Sequence, residues 1–231
     1  MIEQSEVKHH IQKYILGALM YKDSARFSDL KPPKTDTNLF AYHLKVLMRE
    51  GFVKKLDSGY TLSQNGQKYV DRISTSKMSL RTQPKIISML VIQNSDGDLL
   101  LQKRAKQPYI NAWTLPYGKV HIDDRTVEAA ARREAFEKLG LEVDKIRHAG
   151  EAYIRVYASD EIISTTLAHV FRFETDKINT SDSIIWVKPH KLSEYHLAPA
   201  VESIVVRSFF NDSHFFEEYE EEWLAASNLV A

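Results

Sequence analysis

Residues 118–141 read GKVHIDDRTVEAAARREAFEKLGL, and the reading of this stretch decides the fold. From Thr126 to Leu139 it is alanine-rich and free of glycine and proline, which predicts a helix. Gly140 supplies the C-terminal stop. Glu134, Glu137 and Lys138 are spaced i, i+3 and i+4 and therefore share one helix face. Two carboxylates so placed can hold a hard divalent cation such as Mg²⁺. The competing reading is a solvated face carrying ordinary charge pairs.

Upstream of this helix, Lys85 to Ile92 is a β-rich apolar run, Asn94 to Gly97 is a turn, and Leu99 to Arg104 is the return strand. Downstream, strands are expected over Gly150 to Tyr157, Ile162 to Phe173 and Ile184 to Val187, with a short helix over Pro189 to Tyr195. Pro199 to Phe210 predicts a final helix with Val201, Ile204, Val205 and Ser208 facing inward. The acidic run Glu217 to Glu222 reads as a solvated face or a frayed end.

The 231 residues predict one large or two small domains, and 43% hydrophobic residues are enough for real cores. With no cysteine, disulfides, thiolate zinc sites and cysteine nucleophiles are excluded, and a reducing compartment is the natural setting. The N-terminus has no apolar signal region, and no run approaches the ~18 apolar residues of a membrane span, so a cytoplasmic protein is expected. Net charge is +0, but residues 1–76 carry +4 and the remainder −4. That imbalance points the N-terminal part toward an anionic partner.

Within residues 1–76, Val7, Ile11, Ile15 and Leu19 predict an amphipathic helix. Thr35-Asp36-Thr37 offers N-caps for a second strong helix, Asn38 to Glu50, which Gly51 ends. Its apolar face is Phe40, Leu44, Leu47 and Met48; its polar stripe is Asn38, Tyr42, Lys45 and Arg49. Phe52 to Leu56, a turn at Asp57 to Gly59, and Tyr60 to Leu62 form a hairpin. Ser63 then caps a helix running to Ile73. The adjacent His9 and His10 are expected on the surface. Ser74 to Pro84 is polar and aperiodic, and residues 77–84 are expected to link this domain to a second, 85–231.

Helix, short helix, helix, hairpin, helix is the order of a winged helix-turn-helix. FAYHLKVLMREGFVKK (residues 40–55) resembles the recognition helix and first wing strand of small bacterial and archaeal regulators. A recognition helix presents polar side chains to base edges in the major groove. Asn38, Tyr42 and Lys45 are placed for that role, and Arg49, Lys54 and Lys55 for phosphates. The alternative is a protein-contact or dimerisation module with a solvated basic stripe.

The second region resembles the Nudix family. Trp113-Thr-Leu-Pro-Tyr-Gly-Lys119 is similar to the approach to a Nudix box, and Arg133-Glu134-Ala-Phe-Glu137-Lys138-Leu-Gly140-Leu141 to its second half. Lys138 stands where the last box glutamate belongs. The interval from Gly118 to Gly140 is one residue too long, so the early glutamate falls at Arg125, or at Asp124 if the insertion follows it. The resemblance implies an α/β/α sandwich with a mixed sheet. It implies Glu134 and Glu137 as ligands of Mg²⁺ or Mn²⁺, Glu134 also as candidate base, and Arg133 as the cation orienting a glutamate. Asp123 and Asp124 are candidates to compensate for the missing ligand. Lys138 and Arg104 are candidate ligand contacts, and so is Trp113, which either stacks on a nucleobase or fills the core. Two functions stay open. One is a homodimeric DNA-binding regulator whose altered Nudix domain senses a nucleotide-derived small molecule. The other is a Mg²⁺-dependent pyrophosphohydrolase of nucleoside diphosphate derivatives with an accessory winged helix. Known regulators pairing the two modules carry the DNA-binding part second; here it comes first. A scaffold role for both modules is a third reading.

Overall fold

The computed structural model describes residues 7–74, 79–80, 82–210 and 213–223. The chain divides into two compact units, Met1–Thr82 and Gln83–Ala231.

In the first unit, α1 (His10–Leu19), a single helical turn α2 (Phe27–Leu30) and α3 (Thr37–Arg49) enclose a core built from Ile11, Ile15, Leu30, Phe40, Leu44 and Leu47. Asp36 caps α3 by accepting from the amides of Asn38 at 2.9 Å and Leu39 at 3.0 Å, satisfying two otherwise orphaned donors. Strands β1 (Val53–Leu56) and β2 (Gly59–Leu62) pair antiparallel. Ala25 adds a bridge to Tyr60, with backbone hydrogen bonds in both directions at 2.9 Å. Gly59 permits that approach, since a Cβ there would lie 2.4 Å from the Ala25 carbonyl oxygen. The last helix, α4 (Gln64–Val70), is capped by Ser63 but stops three residues before the expected end. Ile73 belongs instead to a short strand, β3 (Ile73–Ser74), paired with β4 (Ser79–Leu80) inside the stretch expected to be a linker. Residues 75–78 and 81 of that stretch lie outside the described residues. His9 is not simply on the surface. It caps α1 through its Nδ1 and stacks on the buried His43 with ring centroids 3.7 Å apart.

The second unit is a mixed sheet with a helix against each face. Its strands are β5 (Lys85–Gln93), β6 (Leu99–Lys103), β7 (Trp113–Thr114), β8 (Tyr117–Lys119), β9 (Arg147–Ala158), β10 (Glu161–Glu174), β11 (Ile184–Val187) and β12 (Phe215–Glu222). The order is β11-β6-β5-β10-β9-β12, with β7 on β6 and β8 on β5. Pairs β5–β10 and β9–β12 are parallel, and the others antiparallel. Alternate residues of β5 feed two cores. Leu90 and Ile92 pack with Ala131 and Ala135 of α5 (Val127–Leu139), while Met89 and Val91 pack with Val201, Ile204 and Val205 of α6 (Val201–Phe210). Burial on both faces explains why the strand reads as an unbroken apolar run.

The acidic run is not a frayed end but a strand, with Glu218, Glu220 and Glu222 on its exposed face. Glu217 to Glu222 lies in β12, added parallel to β9 at the sheet edge. Three of its five carboxylates have partners: Glu217 pairs with Arg207 at 2.7 Å, Glu220 with Arg155, and Glu221 accepts from the Ala200 amide at 3.0 Å, while Glu218 and Glu222 are exposed. Cations on β9 and α6 allow a strand that its own composition disfavours. Among the described residues no helix is long and apolar enough to cross a membrane.

Candidate functional site

Helix α5 begins where the Thr126 hydroxyl accepts from the Ala129 amide at 3.0 Å and ends at Gly140 with φ 66°. Ala130, Ala131 and Ala135 form its inner face, and their small side chains let it lie close to the sheet. Glu134 sits at the edge of that face and is 4% exposed. Its carboxyl group fills the space in front of Gly118: a Cβ at that glycine would fall 1.7 Å from the Glu134 carboxyl carbon. Glycine is therefore required at 118 by close approach, with no need for an unusual backbone angle.

Arg133 joins the carboxylates. It donates to Asp124 through Nε at 3.0 Å and Nη2 at 2.8 Å, to Glu134 through Nη1 at 2.7 Å, to Glu137 at 3.2 Å, and to the Lys119 carbonyl at 3.0 Å. The lengthened loop thus delivers Asp124, not Arg125, to the arginine; Arg125 is exposed, as is Asp123. The Arg133 hydrogen bonds, with that of the His121 amide, hold the Asp124 carboxyl down at about 2. The same pairing with Asp124, then Glu134, raises Arg133 well above an ordinary guanidinium. A depressed carboxyl stabilises the fold above its unfolded value of 3.8, and that contribution disappears as pH falls through about 2. Asp124→Asn should therefore be less stable than the parent at neutral pH. The gap should close on acidification across that window, as read by thermal unfolding at a series of pH values.

Lys138 completes the arrangement from the other side. Its ammonium lies 3.6 Å from Glu134 Oε2, donates to the Tyr117 carbonyl, and stands 5.3 Å from the Tyr117 ring centroid. Burial pushes its pKa down, against the pull of Glu134. Glu134 thus faces Arg133 with one oxygen and Lys138 with the other. A Mg²⁺ ion needs free carboxylate oxygens in near-octahedral geometry. Here two cations already neutralise the inner glutamate, and the remaining one, Glu137, is bonded to the same arginine. With the inner glutamate held by Lys138 as well as Arg133, this donor set fits the metal poorly.

Next to Lys138 opens a cavity of about 540 Å³. Among the described residues five cationic side chains line it, Lys85, Arg104, Lys106, Lys119 and Lys138, and no Asp or Glu does. The phenols of Tyr109 and Tyr117 form part of its wall. Lys85 donates to Ser164 Oγ at 2.9 Å, and its pKa is lowered by burial and then by Arg104 and Lys119. Arg104 lies 5.3 Å from the Tyr117 ring centroid and bonds the Tyr117 hydroxyl; it also donates to the Pro108 carbonyl at 2.9 Å, so it shapes the wall as well as charging it. Of the three expected ligand contacts, Lys138 and Arg104 line this space and Trp113 does not. Trp113 packs on the core on the α6 side, edge-to-face with Tyr195 at 6.2 Å. Lys85, Lys106, Lys119 and Tyr117 escaped the sequence reading. Only their shared sign and their convergence from separate loops and strands mark them, and convergence is not written in order along the chain.

In the first unit, Asn38, Tyr42, Lys45 and Arg49 are all exposed along one stripe of α3, and Lys54 and Lys55 are exposed on β1. Tyr42 is 60% exposed. No basic residue of the stripe is drawn into the core.

Comparison with known proteins bears on both units. A domain of unknown function, DUF7347, matches residues 5–73. Among solved structures, the chain is similar to the NUDIX domain of Shewanella oneidensis NrtR complexed with ADP ribose, at 14% identity and TM-score 0.47 over 62% of this chain and 95% of that one. It is similar to NrtR complexed with a 27mer DNA at 15% identity and TM-score 0.46, covering 53% of this chain and 59% of that one. A MutT NUDIX hydrolase from Burkholderia pseudomallei aligns at 22% identity and TM-score 0.47, covering 55% and 98%. The NUDIX domain model matches residues 83–209, more than half of the chain, from the start of β5 through the box helix into α6 but short of β12, and the chain belongs to the Nudix family.

Proposed function

We propose that this protein is a DNA-binding regulator whose Nudix domain binds a nucleotide-like ligand carrying a diphosphate, without efficient hydrolysis. The observation that carries this reading is the placement of Lys138. Nudix domains generally use divalent metals, yet here an ammonium shields the inner glutamate and itself faces the cavity. Cavity cations bind a phosphate group directly as point charges and hydrogen-bond donors, where metal-bound glutamates would have activated water against it. Tyr109 and Tyr117 supply aromatic surface for the attached nucleoside. The first unit has the element order and exposed basic stripe of a winged helix, with α3 as reading helix and β1–β2 as wing. Paired half-sites mirror two-fold symmetry, so the reading carries a homodimer with it.

Two measurements test it. DNA affinity should fall steeply with salt, and the salt slope should shrink by about 1 for Lys54→Ala. Asn38→Ala and Lys45→Ala should weaken binding to the preferred sequence; unchanged affinity in both would remove the DNA reading. For the ligand, calorimetry with nucleoside diphosphates, nucleotide sugars and dinucleotides should show binding in the presence of a chelator, lost in Lys85→Ala. A second reading, the Mg²⁺-dependent pyrophosphohydrolase, is supported by the intact Arg133–Glu134–Glu137 triplet. Rapid Mg²⁺-dependent product release that vanishes in Glu134→Gln would establish it in place of the first.

A further inference from the structure

A second cluster of ligating side chains lies away from the box, where β9, β10 and the start of β12 meet. Glu151 of β9 stands at its centre. His148 Nε2 lies 3.3 Å from Glu151 Oε1, His169 Nδ1 lies 3.4 Å from the same oxygen, and His214 Nε2 lies 3.3 Å from Oε2.

The sheet builds this cluster deliberately. His169 is directly opposite Glu151 in the β10–β9 pairing, so both point to one face. His148 is three residues from Glu151 and would face the other way in a regular strand. The register shifts between Val170 and Phe171, which pair with Gly150 and His148, so Ala149 is the extra residue of a β-bulge. The bulge turns His148 onto the face of His169, where it stacks on Phe171 with centroids 4.5 Å apart. On the other side, Phe215 is paired with Gly150, where a Cβ would collide with the Phe215 carbonyl oxygen at 2.4 Å. That close seat brings His214, the residue before β12, against Glu151.

The distances suit a metal better than hydrogen bonds. An N–H···O bond has its usual separation near about 2.9 Å. Ligands about 2.0–2.2 Å from a tetrahedral ion lie about 3.3–3.5 Å from one another. His148 Nε2 and His169 Nδ1 are inaccessible to solvent and have no hydrogen-bond partner. The donor atoms of His148, Glu151 and His169 all lie within 4.8 Å of one another, and His214 stands outside this group, against the other Glu151 oxygen. Buried nitrogens left without a partner and aimed at one carboxylate leave a place for a cation among them. Three imidazoles and one carboxylate suit a borderline first-row ion such as Zn²⁺ and not Mg²⁺ or Ca²⁺, which prefer oxygen.

We propose that His148, Glu151, His169 and His214 form a site for Zn²⁺ or a similar first-row divalent transition metal, pinning the edge strand β12 to β9 and β10. The site is separate from the box. Gly118, Ser88, His169 and Glu151 lie in one row on β8, β5, β10 and β9. Three strand spacings put Glu151 about 14 Å from Gly118, the residue that abuts Glu134. Because the ligands come from three strands, the ion holds together residues far apart in sequence, and its binding stabilises the folded unit.

The test is a Zn²⁺ titration of the chelator-stripped full chain, followed by calorimetry and thermal unfolding, with Co²⁺ absorption to report geometry. The expected result is one Zn²⁺ per chain, a raised unfolding temperature, and the intense visible bands of four-coordinate Co²⁺. Glu151→Gln and His214→Ala should each weaken binding at least about tenfold, since loss of even an outer partner of a metal ligand costs that much. His214 is half exposed, so its alanine variant keeps the test independent of folding. Glu137→Gln, which alters the box, should bind Zn²⁺ as the parent does. The proposal is overturned if the parent binds no Zn²⁺, or if Glu151→Gln and His214→Ala bind it unchanged, or if Glu137→Gln alone abolishes it.

Discussion

Replacing Arg133 by alanine is expected to destabilise the C-terminal unit by about 3 kcal/mol, because it leaves two sequestered carboxylates without their cation. The side chains of Asp124 and Glu134 are only 8% and 6% exposed, and each takes its shortest side-chain hydrogen bond to a cation from Arg133. Lys138 remains beside Glu134, at the longer distance of 3.6 Å, and offers Asp124 nothing. Urea unfolding should show a lower midpoint with an unchanged slope. Adding Asp124→Asn and Glu134→Gln to Arg133→Ala should recover part of the loss, since no bare charge would then be buried. A loss below about 1 kcal/mol for the single variant would mean that the network is screened like an ordinary surface pair.

The second large effect is expected from Lys138→Glu. It removes the ammonium from Glu134 and puts a third carboxylate on the same helix face. Without metal the variant should be less stable than the parent, because like charges at i and i+4 repel. With Mg²⁺ at about 100 times its dissociation constant it should regain about 2.7 kcal/mol. The parent, whose inner glutamate is already neutralised twice, should show little Mg²⁺ stabilisation under the same conditions. Turnover of a nucleotide sugar in the variant but not in the parent would tie the loss of chemistry to this one side chain. An equal Mg²⁺ shift in both proteins would show that Lys138 swings aside, and would favour the hydrolase.

These two variants separate structure from reaction inside one helix. Arg133 organises the carboxylates whichever function the domain has. Lys138 decides whether they are available to a metal. The sequence placed both residues on one helix, five positions apart, and already showed Lys138 as a departure from the family. It did not show that the lysine reaches back to the Tyr117 carbonyl and so stands between Glu134 and the cavity.

Local physics determined much of the protein from sequence alone. The box helix, its Gly140 stop, the helix α3 capped by Asp36, the hairpin at Gly59 and the apolar strand at 85–93 each depend on short-range rules: propensity, caps, turn chemistry and periodicity. These are legible because every group involved lies within a few residues of its partner. That Glu134, Glu137 and Lys138 share one helix face was legible for the same reason.

What only the tertiary structure decided depends on pairing between distant segments. The acidic run is a strand because Arg155 and Arg207 neutralise it and β9 accepts its backbone, although its own residues favour solvent. Asp124 rather than Arg125 pairs with Arg133 because the folded loop turns Asp124 toward the helix and leaves Arg125 exposed. Trp113, partly buried, packs against the core outside the cavity, while Tyr117, four residues on, walls it. The histidine cluster exists only because a bulge reverses one side chain and a glycine admits Phe215. A one-residue shift in register sends a side chain to the opposite face of a sheet. Registers are set by the whole packed sheet, so no local reading of the chain could have placed His148 beside Glu151.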